Sequence, residues 1–212
     1  MEFCGLVLAR GGSKGVINKH LRLLGDKPLI RHVVDTAKKV LKIYVSSDSQ
    51  EILNLCCDTD TISRPPELAQ DDIPSIEAAK HALQFIDSNY VVLLNACTPF
   101  VEAGDITKMM ELAKGADSVV SLVEDFSCHS SKVCMLDGNR VVATGSFKTG
   151  ERQKLNKIYK RNAAIYVFKR EVIETGTLFG KDLRGYVMPK SRSLDINDEW
   201  DFNLCDLILK YG

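Results

Sequence analysis

Residues 8–20 read LARGGSKGVINKH, placing three glycines, one arginine and two lysines directly behind the apolar run Cys4-Gly5-Leu6-Val7-Leu8. That mixture suits an anion. Gly11, Gly12 and Gly15 let backbone N–H groups converge on one point, while Arg10, Lys14 and Lys19 supply charge that phosphate oxygens would neutralise. Spacing excludes two familiar phosphate loops. A P-loop ends in Gly-Lys-Ser/Thr after a four-residue gap from its first glycine, whereas Lys14 here follows Ser13; the fingerprint Gly-x-Gly-x-x-Gly is broken by the adjacent Gly11-Gly12. From these residues alone, the segment is either a different loop for a triphosphate or a solvated turn whose lysines face water.

A binding loop of this kind needs a rigid strand end to carry it. Apolar runs at 5–8, 43–46, 91–94, 118–123 and 164–168 read as buried strands, and helical spacing recurs at 29–40, 76–85, 106–113 and 200–209. Strands alternating with helices predict a three-layer α/β fold with a mainly parallel central sheet covered on both faces. In such sheets ligands sit beyond the carboxyl ends of the strands, which is where residues 8–20 begin. Ser47-Asp48 precedes Glu51-Ile52-Leu53 and reads as a turn and helix cap. Residues 124–161 are polar and irregular, with Gly138-Asn139 between Val133-Cys134-Met135-Leu136 and Arg140-Val141-Val142 as a hairpin signal. This stretch reads as a small excursion, within one domain spanning 1–212, that covers a site or meets a second subunit.

Composition bounds the rest. A chain of 212 residues, 45% apolar, supports one substantial core. Lys plus Arg and Asp plus Glu are 28 each, so no global field recruits nucleic acid or an anionic membrane, and any anion must be held locally. No apolar run approaches the roughly 20 residues of a membrane span, and Met-Glu-Phe-Cys opens no leader-like pattern, so the chain reads as soluble and cytoplasmic. The seven cysteines contain no C-x-x-C pair and are odd in number, which argues against a zinc knuckle and against a disulfide framework.

Five ordered segments carry a resemblance. Ala9-Arg10-Gly11-Gly12-Ser13-Lys14-Gly15 with Lys19, followed by Leu24-Gly25-Asp26-Lys27-Pro28-Leu29-Ile30, resembles the signature of the acylneuraminate cytidylyltransferases, the CMP-sialic acid synthetases. Arg64-Pro65-Pro66-Glu67-Leu68-Ala69, with Asp71 and Ser75, is similar to that family's second nucleotide-contacting segment. Leu93-Leu94-Asn95-Ala96-Cys97-Thr98-Pro99 resembles its sugar-side strand end, Asn162-Ala163-Ala164-Ile165-Tyr166 its later strand, and Ser193-Leu194-Asp195-Ile196-Asn197 its metal-binding segment.

The resemblance implies a Rossmann-like nucleotidyltransferase fold, a homodimer formed with the help of residues 124–161, and attack by the anomeric hydroxyl of a 2-keto sugar acid on the α-phosphorus of CTP. It implies that Arg10, Lys14, Lys19 and Asp195 serve catalysis, and that residues 9–13 (Ala9, Arg10, Gly11, Gly12, Ser13) hold the nucleotide with Lys19, His20, Arg64 and Ser75. On the sugar side it implies Asn95, Lys132, Arg152, Asn162 and Tyr166. Mg²⁺ or Mn²⁺ is expected, with Asp195 and Asn197 as its protein ligands. Each residue also has a plainer role open to it. Ser75 could cap the helix it begins, Asn197 or Asp198 the helix after it, and Arg64, Lys132 and Arg152 could be exposed loop charges.

Departures from the family pattern cluster at ligand positions. Its Lys-Asn is Lys19-His20 here, its loop proline is Ile17, its strand-end Gln is Asn95, its Asn-Gly is Asn162-Ala163, and its Asp-x-Asp is Asp195-Ile196-Asn197. They leave open another acid, such as legionaminic, pseudaminic or 3-deoxy-manno-octulosonic acid, or a weakened relative that binds nucleotide or sugar without turnover. His32, His81 and His129 have no partner at ligand spacing, and Cys97 has no histidine near it in sequence, so it reads as a small buried thiol.

Overall fold

Each apolar run becomes a strand and each helically spaced segment a helix. The computed structural model describes residues 2–13, 15–129, 132–144 and 156–212; Lys14 and Arg152 lie outside them. The chain begins with β1 (Phe3–Leu8), a two-strand hairpin of β2 (Leu23–Leu24) and β3 (Lys27–Pro28), and α1 (Leu29–Ala37). It continues through β4 (Lys42–Ser47), α2 (Gln50–Leu55), β5 (Asp60–Ser63), α3 (Ser75–Leu83), β6 (Tyr90–Asn95), α4 (Ala103–Ala113) and β7 (Ser118–Glu124). After a hairpin of β8 (Cys134–Asp137) and β9 (Arg140–Ala143) come β10 (Tyr159–Lys169), α5 (Arg170–Glu174), β11 (Leu183–Val187) and α6 (Glu199–Tyr211).

Seven strands form one sheet in the order β11-β7-β10-β6-β1-β4-β5. Neighbours run parallel except at β10, which is antiparallel to both β6 and β7. The alternation of side chains along the strands divides the core. Val7, Val92 and Leu94 face one side with Ile30, Val33, Val34 and Ala37, the i, i+3, i+4, i+7 stripe of α1. Leu6, Val91 and Leu93 face the other with Ala79, Ala82, Leu83 and Ile86. Burial on both faces explains why β1 is apolar throughout, and gives the three layers.

Two features depart from simple alternation. β10 begins five residues before its apolar run, because its pairing with β7 shifts register between Arg161 and Tyr166. In that bulge Ala163 has φ 58°, the left-handed region that favours glycine. Gly138, at φ 59°, turns the β8–β9 hairpin as its sequence predicts. That hairpin is a separate sheet, and Met135, Leu136 and Val141 on it are 58, 70 and 57% exposed. Among the described residues no helix is long and apolar enough to cross a membrane.

Candidate active site

The chain leaves β1 towards β4 on one side and leaves the adjacent parallel strand β6 towards β7 on the other, so a crevice opens at the carboxyl ends of these two strands. The cleft at this point has a volume of about 380 Å³. The first loop lines it with Arg10, Ser13, Lys19 and His20, and more distant segments bring Arg64, Ser75, Asn95 and Asn197 to the same space. Ser75 is the first residue of α3, but Pro74 is the N-cap and has no side-chain cap bond, so the hydroxyl does not serve as the cap.

A small third core fixes the loop. Val16 packs with Leu24, Leu29, Cys97, Ile196, Phe202 and Cys205, which ties residues 8–20 to the segment before α6. At Gly15 the two backbones meet so closely that a Cβ would lie 2.2 Å from Asn197 O. Only glycine fits there. Gly12, at φ 66°, makes the preceding turn. Lys19 Nζ donates to Ile196 O at 2.7 Å, a second tie between the two segments.

Asp48 organises the loop from below. Its Oδ1 accepts from Gly11 N at 3.0 Å and lies 3.4 Å from Arg64 Nη2, which also donates to Ala9 O at 3.1 Å. The helix cap expected of Ser47-Asp48 falls instead to Ser49, whose side chain accepts from Ile52 N. Asp48 therefore supports the cleft from outside its lining, because only the folded chain brings Arg64 and Gly11 to it. Arg64 is 5% exposed, and its Nε is buried without a hydrogen-bond partner among the described residues. A buried donor left unpaired is costly, and a ligand carbonyl or phosphate oxygen would satisfy it.

His20 is fully engaged. Nδ1 lies 3.1 Å from Arg10 O and Nε2 lies 3.6 Å from Cys97 Sγ. Burial, with the charges of Lys19, Arg64 and Arg10, pulls the imidazole down to about 4 against the hydrogen bond to Arg10, so the ring is neutral at neutral pH. It then donates from Nδ1 to the Arg10 carbonyl and accepts the Cys97 thiol proton at Nε2. Cys97 thus has a histidine partner after all, 77 residues away in sequence. Burial raises its thiol, opposed by Lys19, so the pair is a weak S–H···N contact and not a thiolate nucleophile.

The same network reaches the acidic segment. Asn95 Oδ1 accepts from Cys97 N at 3.0 Å, and Asn95 Nδ2 donates to Asp195 Oδ1 at 3.2 Å. Burial raises the Asp195 carboxyl, opposed by Asn197, Lys19 and Asn95. Asn197 does not cap α6: Asp198 does, in a reciprocal pair with Asp201. Among the described residues no three His, Cys, Asp or Glu side chains gather as a metal site. Asn197 lines the cleft and Asp195 lies behind it, bonded to the lining residue Asn95; one carboxylate with one amide still fits Mg²⁺ or Mn²⁺, since hard cations in phosphate sites take a carboxylate or two and complete their shell with phosphate oxygens and water.

A family model described as cytidylyltransferase matches residues 4–196, from β1 through the acidic segment. The chain belongs to the cytidylyltransferase family. A Campylobacter coli relative, named post-translational flagellin modification protein B, is 29% identical over 99% of this chain and 95% of its own length. An N-acylneuraminate cytidylyltransferase of Escherichia coli O18:K1:H7 is 31% identical over 96% of this chain, which spans 51% of that relative. Among solved structures, CMP:2-keto-3-deoxy-manno-octonic acid synthetase complexed with CTP superimposes with a TM-score of 0.77 at 11% identity, covering 99% of both chains.

Not every sugar-side residue implied by the family resemblance reaches the cytidylyltransferase cleft. Asn162 is buried in the β10 bulge: its Oδ1 accepts from Ser121 Oγ at 2.6 Å and its Nδ2 donates to Ser193 Oγ at 2.9 Å. Tyr166 is half-buried on β10, with its ring 6.2 Å from that of Phe179. Its phenol is raised by burial and, beyond an opposing effect of Arg161, by the charge of Asp195. Lys132 stands over the Phe126 ring at 4.5 Å. The sequence alone did not reveal Asp48 beneath the loop, the ion pair of Arg10 with Asp71 or the His20–Cys97 contact. Asp48 and Asp71 had a local signal, a carboxylate beside a proposed cation site; the contact between His20 and Cys97 had none.

Proposed function

We propose that this chain transfers CMP from CTP to the anomeric hydroxyl of a 2-keto sugar acid of the N-acylneuraminate class. The observation that carries this reading is the cytidylyltransferase match over 4–196, falling on a cleft where Arg10, Lys19 and Arg64 converge in a chain of zero net charge. The hydroxyl oxygen bonds to the α-phosphorus and gives its proton up to solvent, while the bond from the α-phosphorus to the oxygen bridging to the β-phosphate breaks and pyrophosphate leaves with that oxygen.

Little covalent chemistry falls to the protein, so positioning and charge neutralisation dominate. Arg10, Ser13 and the loop N–H groups hold phosphates, with Lys14 contributing from the same loop. Lys19, anchored on the Ile196 carbonyl, keeps its cation beside the reacting phosphate. Arg64 Nε and Ser75 face the base and ribose. Asp195, with the Asn197 amide, would hold Mg²⁺, which when bound neutralises developing phosphate charge. Asn95 joins the metal side to the sugar side through its bond to Asp195.

The exposed apolar face of the β8–β9 hairpin supports a homodimer built on the 124–161 excursion, with Lys132 and Arg152 brought near a sugar carboxylate. The seven unpaired cysteines suit the cytoplasm. The deciding experiment mixes the chain with CTP, Mg²⁺ and a panel of acids (N-acetylneuraminic, legionaminic, pseudaminic and 3-deoxy-manno-octulosonic) and follows pyrophosphate. Release with one acid supports the reading and names the substrate; silence across the panel with CTP still bound makes the chain a binding module.

A further inference from the structure

Arg10 faces the cleft already paired. Its Nη2 lies 2.5 Å from Asp71 Oδ1, and its Nη1 donates to Ala69 O at 3.3 Å. Both partners belong to a strap of residues 65–74, a helical turn Pro66–Ala69 and the stretch leading to Pro74 at the start of α3. The strap also lines the cleft with Leu68, Gln70 and Ile73. A phosphate that approaches Arg10 therefore meets a carboxylate in possession of it.

We propose that Asp71 is an internal competitor for the nucleotide's phosphates at Arg10. A triphosphate, carrying several charges and helped by Lys19, displaces one carboxylate; departing pyrophosphate has its place retaken by Asp71. The carboxylate thereby lowers the affinity of the cleft for both CTP and pyrophosphate, favours product release, and couples the strap to phosphate occupancy through one guanidinium. The inference rests on the nucleotide reading above. The side chains of Arg10 and Asp71 are 36 and 43% exposed, so solvent screens the pair and the competition is modest, about two- to fivefold in a binding constant.

The test is calorimetric titration of the full chain with CTP and, separately, with pyrophosphate, in a double-mutant cycle. Asp71→Asn binds both ligands about two- to fivefold more tightly than wild type, while in an Arg10→Ala background the same change alters neither affinity. Asp72→Asn removes an equal charge one residue along the strap and leaves both affinities unchanged. Asp71→Ser repeats the measurement should the Asn variant fail to fold, with melting curves as the check. Unchanged or weaker binding in Asp71→Asn overturns the proposal, and so does an equal gain with and without Arg10, which would make Asp71 a simple repulsive charge. If wild type binds neither ligand, the nucleotide reading falls and this one with it; if wild type binds CTP and Asp71→Asn matches it, only the role of Asp71 is refuted.

Discussion

Replacing His20 by asparagine should make the fold less sensitive to acid. The unfolded chain protonates this imidazole near its ordinary 6.5, the folded chain only near about 4, because a charged ring between the Arg10 carbonyl, Cys97 and three cations would lose hydration without gaining an anion. Between those values unfolding takes up a proton, so stability is fully present above about pH 6.5 and falls as pH falls towards 4. Integrating the two titrations from pH 7 to pH 5 gives a loss of about 2 kcal/mol from this residue alone. Urea unfolding of wild type and His20→Asn at both pH values isolates the effect, since acid titration of the carboxylates is common to the two proteins. The wild type should lose about 2 kcal/mol more than the variant on acidification. Equal losses would mean that His20 takes up its proton freely in the folded state, and the neutral bridge to Arg10 and Cys97 would be wrong.

Lys19→Ala removes the cation anchored at Ile196 and should lower pyrophosphate release with CTP and the active sugar acid about 10²–10³-fold; unchanged turnover would remove Lys19 from the reaction. Asp195→Asn should raise the Mg²⁺ concentration needed for half-maximal turnover by about tenfold or more, while thermal melting stays level or rises, since burial disfavours this charge; a parallel loss of folding would assign Asp195 to structure. Ala163→Gly relieves a left-handed alanine worth about 1–2 kcal/mol at an unfolded-chain cost of about 0.4–1 kcal/mol, so calorimetric melting should move up by about 1–3 °C; a fall would show that the bulge tolerates alanine without strain.

Much of the frame was legible in the sequence because burial leaves a periodic mark. β1, β4, β6 and β7 extend the predicted runs by a residue or two, and α1, α3, α4 and α6 carry the expected stripes. β11 left no such mark: it is a partly exposed edge strand with alternating burial, recognisable only once β7 is beside it. The direction of β10 was equally hidden, since a run buried on both faces looks the same read either way. The resemblance, too, was legible as motifs in order along the chain.

What the sequence determined by itself was the inventory: cations and glycines behind a buried strand, a neutral chain around them, and an acidic segment near the end. The tertiary structure decided the partnerships. Asp48 changed from helix cap to loop organiser, Cys97 acquired His20, Asn162 turned inward to the β10 bulge, and Arg10 was found in the grip of Asp71. Each depends on residues 16 to 77 positions apart meeting at the carboxyl end of one sheet. Periodicity reports whether a side chain is buried; only folding says which polar atom it is buried against.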